Sequence, residues 1–324
     1  MGKFLSCDWG TSSFRLRLVD MATLEILAEE ITDQGIASTY KLWKQTAQQD
    51  PEIRVRFYLD RVLEKIKKME KSLSLSLKHT PLVLSGMASS SLGMSNVPYG
   101  QLPFHTDGKG IPTVAYDLGS DHPVLLISGI RSEDDVMRGE ECQLIGVMAD
   151  IQNKNGEKVF IFPGTHSKHI RVRDGQVMGF NTYMTGEFFE LLSTKSILSG
   201  SVEEDQNFDL EENQDSFKKG VLKATEANLL NASFGVRTND LFEKLNKKQN
   251  HHYLSGLVIG LELTEIRKQE SAEIYLCCSS NLKSRYQTGL ATLGIEGVHI
   301  FPGSYIEKAV VLGQLQIYKQ IQNS

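Results

Sequence analysis

The stretch KFLSCDWGTSSFRLRLVD, residues 3–20, decides how the rest of the chain is read. Phe4 and Leu5 precede an interruption, and Phe14, Leu16 and Leu18 follow it at period two with Arg15 and Arg17 between them. That pattern is strand, tight turn, strand. The turn, Asp8-Trp9-Gly10-Thr11-Ser12-Ser13, is rich in small residues and hydroxyls and carries one carboxylate at a strand end. Gly10 lets the backbone approach a ligand closely, and successive amides in such a turn form an anion-binding nest. An acid beside an anion nest points to a metal shared with phosphates. An ordinary hairpin with a polar turn is the competing reading.

Composition narrows the choice. The chain's 324 residues allow two domains, each long enough for its own core. A net charge of -5 disfavours nucleic acid as the main partner. Cys7, Cys142, Cys277 and Cys278 show no C-x-x-C spacing and sit among apolar residues. They read as reduced core thiols of a cytoplasmic protein, not as a disulfide frame or zinc site. No basic region followed by an apolar run opens the sequence, and LSGLVIGLEL, 254–263, is a buried helix segment too short to span a membrane. A soluble cytosolic protein is expected.

A second strand-turn-strand, KVFIFPGTHSKHIRVRDG, occupies residues 158–175, and its turn again combines Gly with hydroxyls, now joined by His166 and Lys168. Between the hairpins, residues 52–77 space Val62, Ile66, Met69 and Leu73 as an amphipathic helix. PLVLSGMASSSLG (81–93) and PVLLISGIRSEDDVMRGEE (123–141) each read as an apolar strand opening into a polar loop, and EECQLIGVMAD as a short helix. Helices are expected at 185–198, 215–231 and 250–268, with the acidic run EEDQNFDLEENQD (203–215) as a solvated surface segment without metal-site spacing. EIYLCCSS (273–280) is a buried strand leading to a polar turn and a helix. Ser304 and Glu307 have capping-box spacing before a final helix with Ile306, Val310, Gly313 and Ile317 on one face. No low-complexity linker separates the halves, so their joint is expected to be helical. Neither G-x-x-x-x-G-K-[ST] nor G-x-G-x-x-G occurs, which weakens P-loop and Rossmann readings.

Two such hairpins, one opening each half, resemble the phosphate loops of the actin, Hsp70 and sugar-kinase superfamily. DWGTSSFR, SGMASSSLG, MRGEECQLIG, FPGTHSKH, MTGE, SGLVIGLEL and the RYQ of 285–287 together resemble the 2-dehydro-3-deoxygalactonokinase family, from residue 4 to about residue 315. MRGEE-x-QLIG and PGTH-x-K are its most distinctive pieces; the acidic segment 203–215 departs from it, and residues 90–100 and 105–120 match less closely. The resemblance implies an α/β fold of two ribonuclease-H-like (actin-like ATPase) lobes with a nucleotide and sugar cleft between them. The lobes would be residues 1–145 and 146–324, the last helix crossing back. It also implies a carbohydrate kinase that phosphorylates 2-dehydro-3-deoxygalactonate on its 6-hydroxyl with MgATP.

Within that frame Asp8 would hold Mg²⁺ through water. Gly10, Thr11 and Ser12 would line one side of the phosphates and Gly164, Thr165 and His166 the other. Lys168 either neutralises phosphate charge or is a solvated strand lysine. The acceptor of the hydroxyl proton should be a carboxylate at a domain boundary. Glu140 is preferred because it follows Gly139 as an acid follows Gly in carbohydrate kinases such as glycerol kinase. Glu141 is the reserve, and the competing reading is that both simply favour the helix N-terminus. Arg138, then Arg131 and the amides around Thr185 and Gly186, are candidates for the substrate carboxylate. Ser89 and Ser90 would bond sugar hydroxyls or serve the loop, and Glu187 would bond substrate or cap its own helix. Ser279, Ser280 and Asn281, at a strand-to-helix turn, are placed at the adenosine. The partners are then ATP and a small sugar acid, with no nucleic acid or membrane, and a homodimer is a fair expectation. Competing readings are a kinase for 2-keto-3-deoxygluconate, a non-catalytic sugar or nucleotide sensor, and a chaperone-like or polyphosphate-handling ATPase on the same fold.

Overall fold

In a computed structural model of the chain, the first hairpin forms with the register its alternation requires. Strand β1 (Lys3–Trp9) pairs antiparallel with β2 (Phe14–Asp20), from Lys3 opposite Asp20 to Trp9 opposite Phe14. The structure describes residues 2–46, 50–117, 121–268, 272–278 and 280–323, and for Ser280 and Asn281 the backbone alone. Two compact units emerge: residues 1–155 with 173–179 and 305–324, and residues 156–172 with 180–304.

In the first unit, β3 (Ile26–Thr32), α1 (Ile36–Lys44), α2 (Pro51–Leu73) and β4 (Leu82–Gly86) follow the hairpin. Short strands β5 (Gly100–Gln101), β6 (Phe104–His105), β7 (Thr113–Tyr116), β8 (Val124–Ile127), β9 (Ile130–Arg131) and β10 (Val136–Met137) then lead into α3 (Glu140–Asp150). The main sheet has the order β3-β2-β1-β4-β8-β7: after the antiparallel meander β4 runs parallel to β1 and β8 parallel to β4, and β7 closes the edge antiparallel to β8. Strands β10-β9-β5 make a small separate sheet. Helix α2 is the amphipathic helix expected from sequence: Val62, Ile66 and Met69 are buried beside Tyr58 and Leu59. Asp50 caps its first amides, and Pro51 supplies a fixed φ at its start. Trp9 ends β1 in an aromatic cluster, 5.0 Å from Phe14 and 5.6 Å from Tyr58.

The second unit is built from β11 (Glu157–Phe162), β12 (Ser167–Arg173) up to residue 172, β13 (Gln176–Tyr183) from residue 180 on, α4 (Thr185–Thr194), α5 (Glu211–Glu226), α6 (Leu229–Leu241) and α7 (Lys247–Leu263). After these come β14 (Glu273–Cys277), α8 (Ser280–Thr292) and β15 (His299–Phe301). Its strands run in the order β15-β14-β11-β12-β13, and β6 of the first unit adds to the sheet against the Gln176–Val177 start of β13; a three-strand meander is again extended by parallel strands on the side of its first strand. This repeats the order β8-β4-β1-β2-β3 of the first unit. The last helix, α9 (Gly303–Gln322), belongs almost wholly to the first unit and buries Ile306, Val310, Gly313 and Ile317 as expected. It starts one residue ahead of Ser304, the expected cap, and the Glu307 carboxylate lies 3.9 Å from Arg17 Nη2. Arg17 also donates to the Glu307 carbonyl at 2.9 Å, and Gln314 Nε2 to the Cys7 carbonyl at 3.0 Å and Ser85 Oγ at 2.8 Å.

Three expectations need correction. The helix expected at 215–231 is two helices, broken where the Asn228 side chain caps Leu230 N. The chain leaves the first unit after Asn155, in the non-helical segment beyond α3, so the joint is not helical there. The acidic run is not uniformly solvated. Asp205 is buried and accepts from Asn213 Nδ2 at 2.8 Å and His252 Nε2 at 3.1 Å, while Phe208 and Asn213 are buried with it. A carboxylate taken out of water needs such donors. All four cysteines are buried and free, and among the described residues no helix is long and apolar enough to cross a membrane.

Candidate active site

The first hairpin turn is held from behind by main-chain bonds. Gly10 N donates to the Ser13 carbonyl at 2.9 Å, closing the turn. The Gly10 and Thr11 carbonyls accept from Ile36 N (2.9 Å) and Ala37 N (3.0 Å), the opening amides of α1. A trans peptide points its N–H opposite to its C=O, so the Thr11 and Ser12 amides are turned away from α1. Thr11 and Ser12 are exposed. This is the directed set of donors that an anion needs.

Asp8 stands at the open end of β1. Its Oδ2 accepts from Arg15 Nη1 at 3.1 Å across the hairpin, with side chains 20% and 42% exposed respectively. Gly86, at the end of β4, has φ +79°, and a Cβ there would come 3.2 Å from Asp8 Oδ1 and 2.9 Å from the Trp9 carbonyl. Glycine therefore leaves space beside the carboxylate. A Cβ on Gly139, in the MRGEE loop, would lie 3.6 Å from Gly86 Cα. The SGMASSS and MRGEE segments thus meet beside Asp8. Burial pushes the Asp8 carboxyl above its ordinary value; Arg15 and Arg17 oppose that shift and the charge of Glu140 adds to it.

The two adjacent glutamates have different surroundings. Glu141 is fully buried and both its oxygens accept from Gly139 N, at 2.8 and 2.7 Å. Burial, then Glu140, pushes its carboxyl up to about 8. Glu140 is partly exposed, with Oε2 accepting from Arg138 N at 3.0 Å. Arg138 Nη1 donates to the carbonyl and Oγ of buried Ser89, each at 2.5 Å, and its guanidinium stacks 4.1 Å from the ring centre of Tyr99. Ser90 Oγ donates to the Met87 carbonyl at 2.7 Å and so braces its own loop. Arg131 is exposed on β9.

In the second unit the turn Pro163-Gly164-Thr165-His166 joins β11 and β12. Here too a carbonyl is tied to a following helix: Thr165 O accepts from Glu187 N at 3.1 Å, in the first turn of α4. A Cβ on Gly186 would lie 2.7 Å from Thr165 Cα, so MTGE and PGTH are in backbone contact. His166 Nε2 lies 2.5 Å from Glu187 Oε2. A pocket of about 340 Å³ opens here, with Gly164, Thr165, Thr185 and Gly186 at one end and His251 and Arg285 also lining it. Lys168 is buried on β12, where strand alternation sends it to the face opposite Ser167 and His169, and it does not line this pocket. Ser279 lies outside the described residues, as do the side chains of Ser280 and Asn281.

The model of the 2-keto-3-deoxy-galactonokinase family matches residues 8–311. The chain belongs to this family. It is 30% identical over 303 residues to a protein of Rhizobium meliloti (strain 1021) described as a probable 2-dehydro-3-deoxygalactonokinase, covering 91% of this chain and 90% of that one. It is also 30% identical to the Escherichia coli (strain K12) 2-dehydro-3-deoxygalactonokinase, over 67% of this chain and 72% of the relative. A crystal structure from Sinorhizobium meliloti assigned to the same activity superposes with a TM-score of 0.77 at 27% identity, covering 98% of this chain and 99% of the other. The family is one of kinases, and its fold is that of the actin-like ATPases and sugar kinases, with two ribonuclease-H-like lobes.

Against that family background, sequence reasoning selected Asp8, Arg138, Glu140 and Glu141, and the structure brings them to one end of the first unit. It selected Gly164, Thr165, His166, Thr185, Gly186 and Glu187, which come together in the second. It missed Tyr99 and Glu262. Tyr99 lies in a loop with no periodic signal, and Glu262 looked like one polar residue on a buried helix. The donor set at Asp8 fits a hydrated Mg²⁺: a hard carboxylate oxygen, partly open to solvent, beside a space that Gly86 keeps free.

Proposed function

We propose that the protein transfers the γ-phosphoryl group of ATP to the 6-hydroxyl of 2-dehydro-3-deoxygalactonate. The observation that carries this reading is the meeting of Gly86 and Gly139 beside Asp8, which brings a cation-holding carboxylate and the MRGEE loop to one place. Phosphoryl transfer is chiefly positioning and charge stabilisation. Asp8 would hold Mg²⁺, and the ion would supply neutralisation of the charge on the phosphate oxygens.

Glu140 is the general base. It takes the 6-hydroxyl proton as that oxygen bonds to phosphorus and the bond to the ADP oxygen breaks. Its partner Glu141 is turned onto Gly139 N and fixes the loop that presents Glu140. Arg138, held by Ser89 and Tyr99, binds the substrate carboxylate through the rest of its guanidinium fork. In the first unit the Thr11 and Ser12 amides are the donors for phosphate oxygens; in the second, the Gly164–His166 turn and Gly186 are. His166 and Glu187 orient that turn. Four free, buried thiols support a reducing compartment, the cytoplasm.

The test is a coupled ADP-release assay across 2-keto-3-deoxy sugar acids and neutral sugars. MgATP-dependent turnover of the galactonate derivative, with mass-spectrometric detection of its 6-phosphate, is the expected result. Preferential turnover of the gluconate epimer would reassign the substrate, and ATP turnover without a sugar acid would replace the kinase with an ATPase.

A further inference from the structure

Four segments of the second unit, SGLVIGLEL, PGTHSKH, MTGE and RYQ, meet at the carboxylate of Glu262. This residue is 2% exposed on α7. Its Oε1 lies 2.8 Å from His169 Nε2 on β12. Its Oε2 accepts from the Thr185 hydroxyl, at the start of α4, and from the Tyr286 hydroxyl of α8 at 2.7 Å. The Tyr286 oxygen is 3.0 Å from Ser167 Oγ, and that oxygen accepts from Gly164 N at 3.3 Å.

The directions of these bonds follow from the partners. A carboxylate only accepts, so Thr185 and Tyr286 both donate to it. With its proton committed, Tyr286 can only accept from Ser167, whose own proton is then committed in turn. Ser167 is left as an acceptor for the Gly164 amide. One unbroken run of donors therefore starts in the hairpin turn and ends on Glu262. Burial, with Glu262 second, pushes the Tyr286 hydroxyl well above its ordinary value, so it stays a donor.

We infer that Glu262 is a positioning residue that locks the Gly164–His166 turn and the first turn of α4 into one phosphate-receiving block. It touches neither substrate nor nucleotide itself. A buried acceptor with three donors around it ties β12, α4 and α8 to α7, and the Gly164 peptide plane is set by the far end of the same chain of bonds. An apolar side chain at 262 would leave the Thr185 and Tyr286 hydroxyls and His169 without their acceptor. Glutamine is the mild replacement. Its amide nitrogen can face His169 Nε2 if the imidazole changes tautomer, while its oxygen still serves the two hydroxyls.

The inference rests on the kinase reading, and calorimetric binding separates the two. ATP, ADP and adenosine are titrated into the wild-type chain and into Glu262→Met, Glu262→Gln and Tyr286→Phe. Glu262→Met is expected to weaken ATP and ADP by about tenfold or more and to leave adenosine unchanged, because only the phosphates use the block. Tyr286→Phe, which removes one oxygen and keeps the ring, should show the same phosphate-dependent loss at about three- to tenfold. Glu262→Gln should lie nearest to wild type. If Glu262→Met does not fold by circular dichroism, Tyr286→Phe decides alone. Wild-type ATP affinity in the phenylalanine variant, or an equal loss for adenosine, overturns the positioning role while the kinase reading stands. A wild-type chain that binds none of the three overturns the kinase reading and this role with it.

Discussion

The two hairpin turns have the same plan and are held in place by different means. In each, a turn carbonyl accepts from the N-terminus of a later helix, and a glycine of that helix end abuts the turn. Gly35 lies against Thr11, where a Cβ would be 2.3 Å from its carbonyl oxygen, and Gly186 lies against Thr165. The first turn is secured chiefly by main-chain bonds, Gly10 to Ser13 and α1 to Gly10 and Thr11, with the Asp8–Arg15 pair and the Trp9 indole bond to the Gln34 carbonyl at its edge. The second depends on side chains: Ser167, Tyr286, Thr185 and Glu262 behind it and the His166–Glu187 pair beside it. A backbone-held turn tolerates side-chain change except at its glycines and at its chemically active residue. A side-chain-held turn is sensitive at residues far away in sequence.

Asp8 is the sharpest test of that division. Asp8→Asn keeps the shape and every main-chain bond of the first turn but removes the charge that would anchor the hydrated ion. Turnover should fall by about 10³-fold or more with an unchanged melting temperature. Near-normal kcat would break the comparison, since the first turn would then be a scaffold only.

The two glutamates come next. Glu140→Gln should lower kcat by about 10²-fold with little change in the KM for sugar acid. Glu141→Gln removes a carboxylate that braces Gly139, so it should act on stability more than on kcat. Steady-state kinetics beside thermal unfolding would separate them, and a dead but stable Glu141→Gln would exchange their roles.

The two units should also answer pH in opposite directions. The Glu141 carboxyl is pushed up to about 8 from an ordinary 4.5, so between those values the folded chain keeps a proton that the unfolded chain has lost. Its contribution is present below 4.5 and disappears as pH rises through about 8. His251 is driven down to about 4 from 6.5 by burial and then by His252. There the unfolded chain binds the extra proton, so stability is present above 6.5 and is lost as pH falls through about 4. Asp205, held down to about 2 chiefly by its bond to His252, adds to the acid loss below its ordinary 3.8. Hydrogen exchange corrected for intrinsic rates should show α3 best protected in mild acid and α7 best protected near neutral pH. Parallel profiles would contradict the opposed assignments.

The smallest effect belongs to Arg15. Its guanidinium opposes the burial-driven rise of the Asp8 carboxyl. Arg15→Ala should therefore move the acid limb of the kcat profile to higher pH, with maximal kcat little altered, and an unmoved limb would mean that the pair is too exposed to matter.

Legibility in the sequence followed the same division. The first hairpin was readable because its signals are local: Phe14, Leu16 and Leu18 alternate, and the turn residues are contiguous. Helix α2 declared itself through Val62, Ile66 and Met69, but β3 and α1 were missed, since ILAEEIT and IASTYKLWK carry few strong apolar residues in register. Neighbouring Glu140 and Glu141 look alike in one dimension, and only packing buries one of them. Asp205 was hidden among acids that are solvated. The support of the second turn was unreadable for a simple reason: His169 and Thr185 lie 93 and 77 residues from Glu262 in the chain.

The bonds from α9 to Arg17 and Cys7 join residues 290 and 307 positions apart, and that fixes an order of events during synthesis. A ribosome delivers β1, β2 and β4 early, yet the backbone carbonyl of Cys7 and the hydroxyl of Ser85 must wait for Gln314. The second unit, closed by residue 304, can finish while the first is still lacking its last helix. A nascent or prematurely terminated chain would therefore carry a completed phosphate-turn unit and an unfinished Asp8 unit. Helix α9 thus supplies late in synthesis the partners that Arg17, the Cys7 carbonyl and Ser85 lack until then.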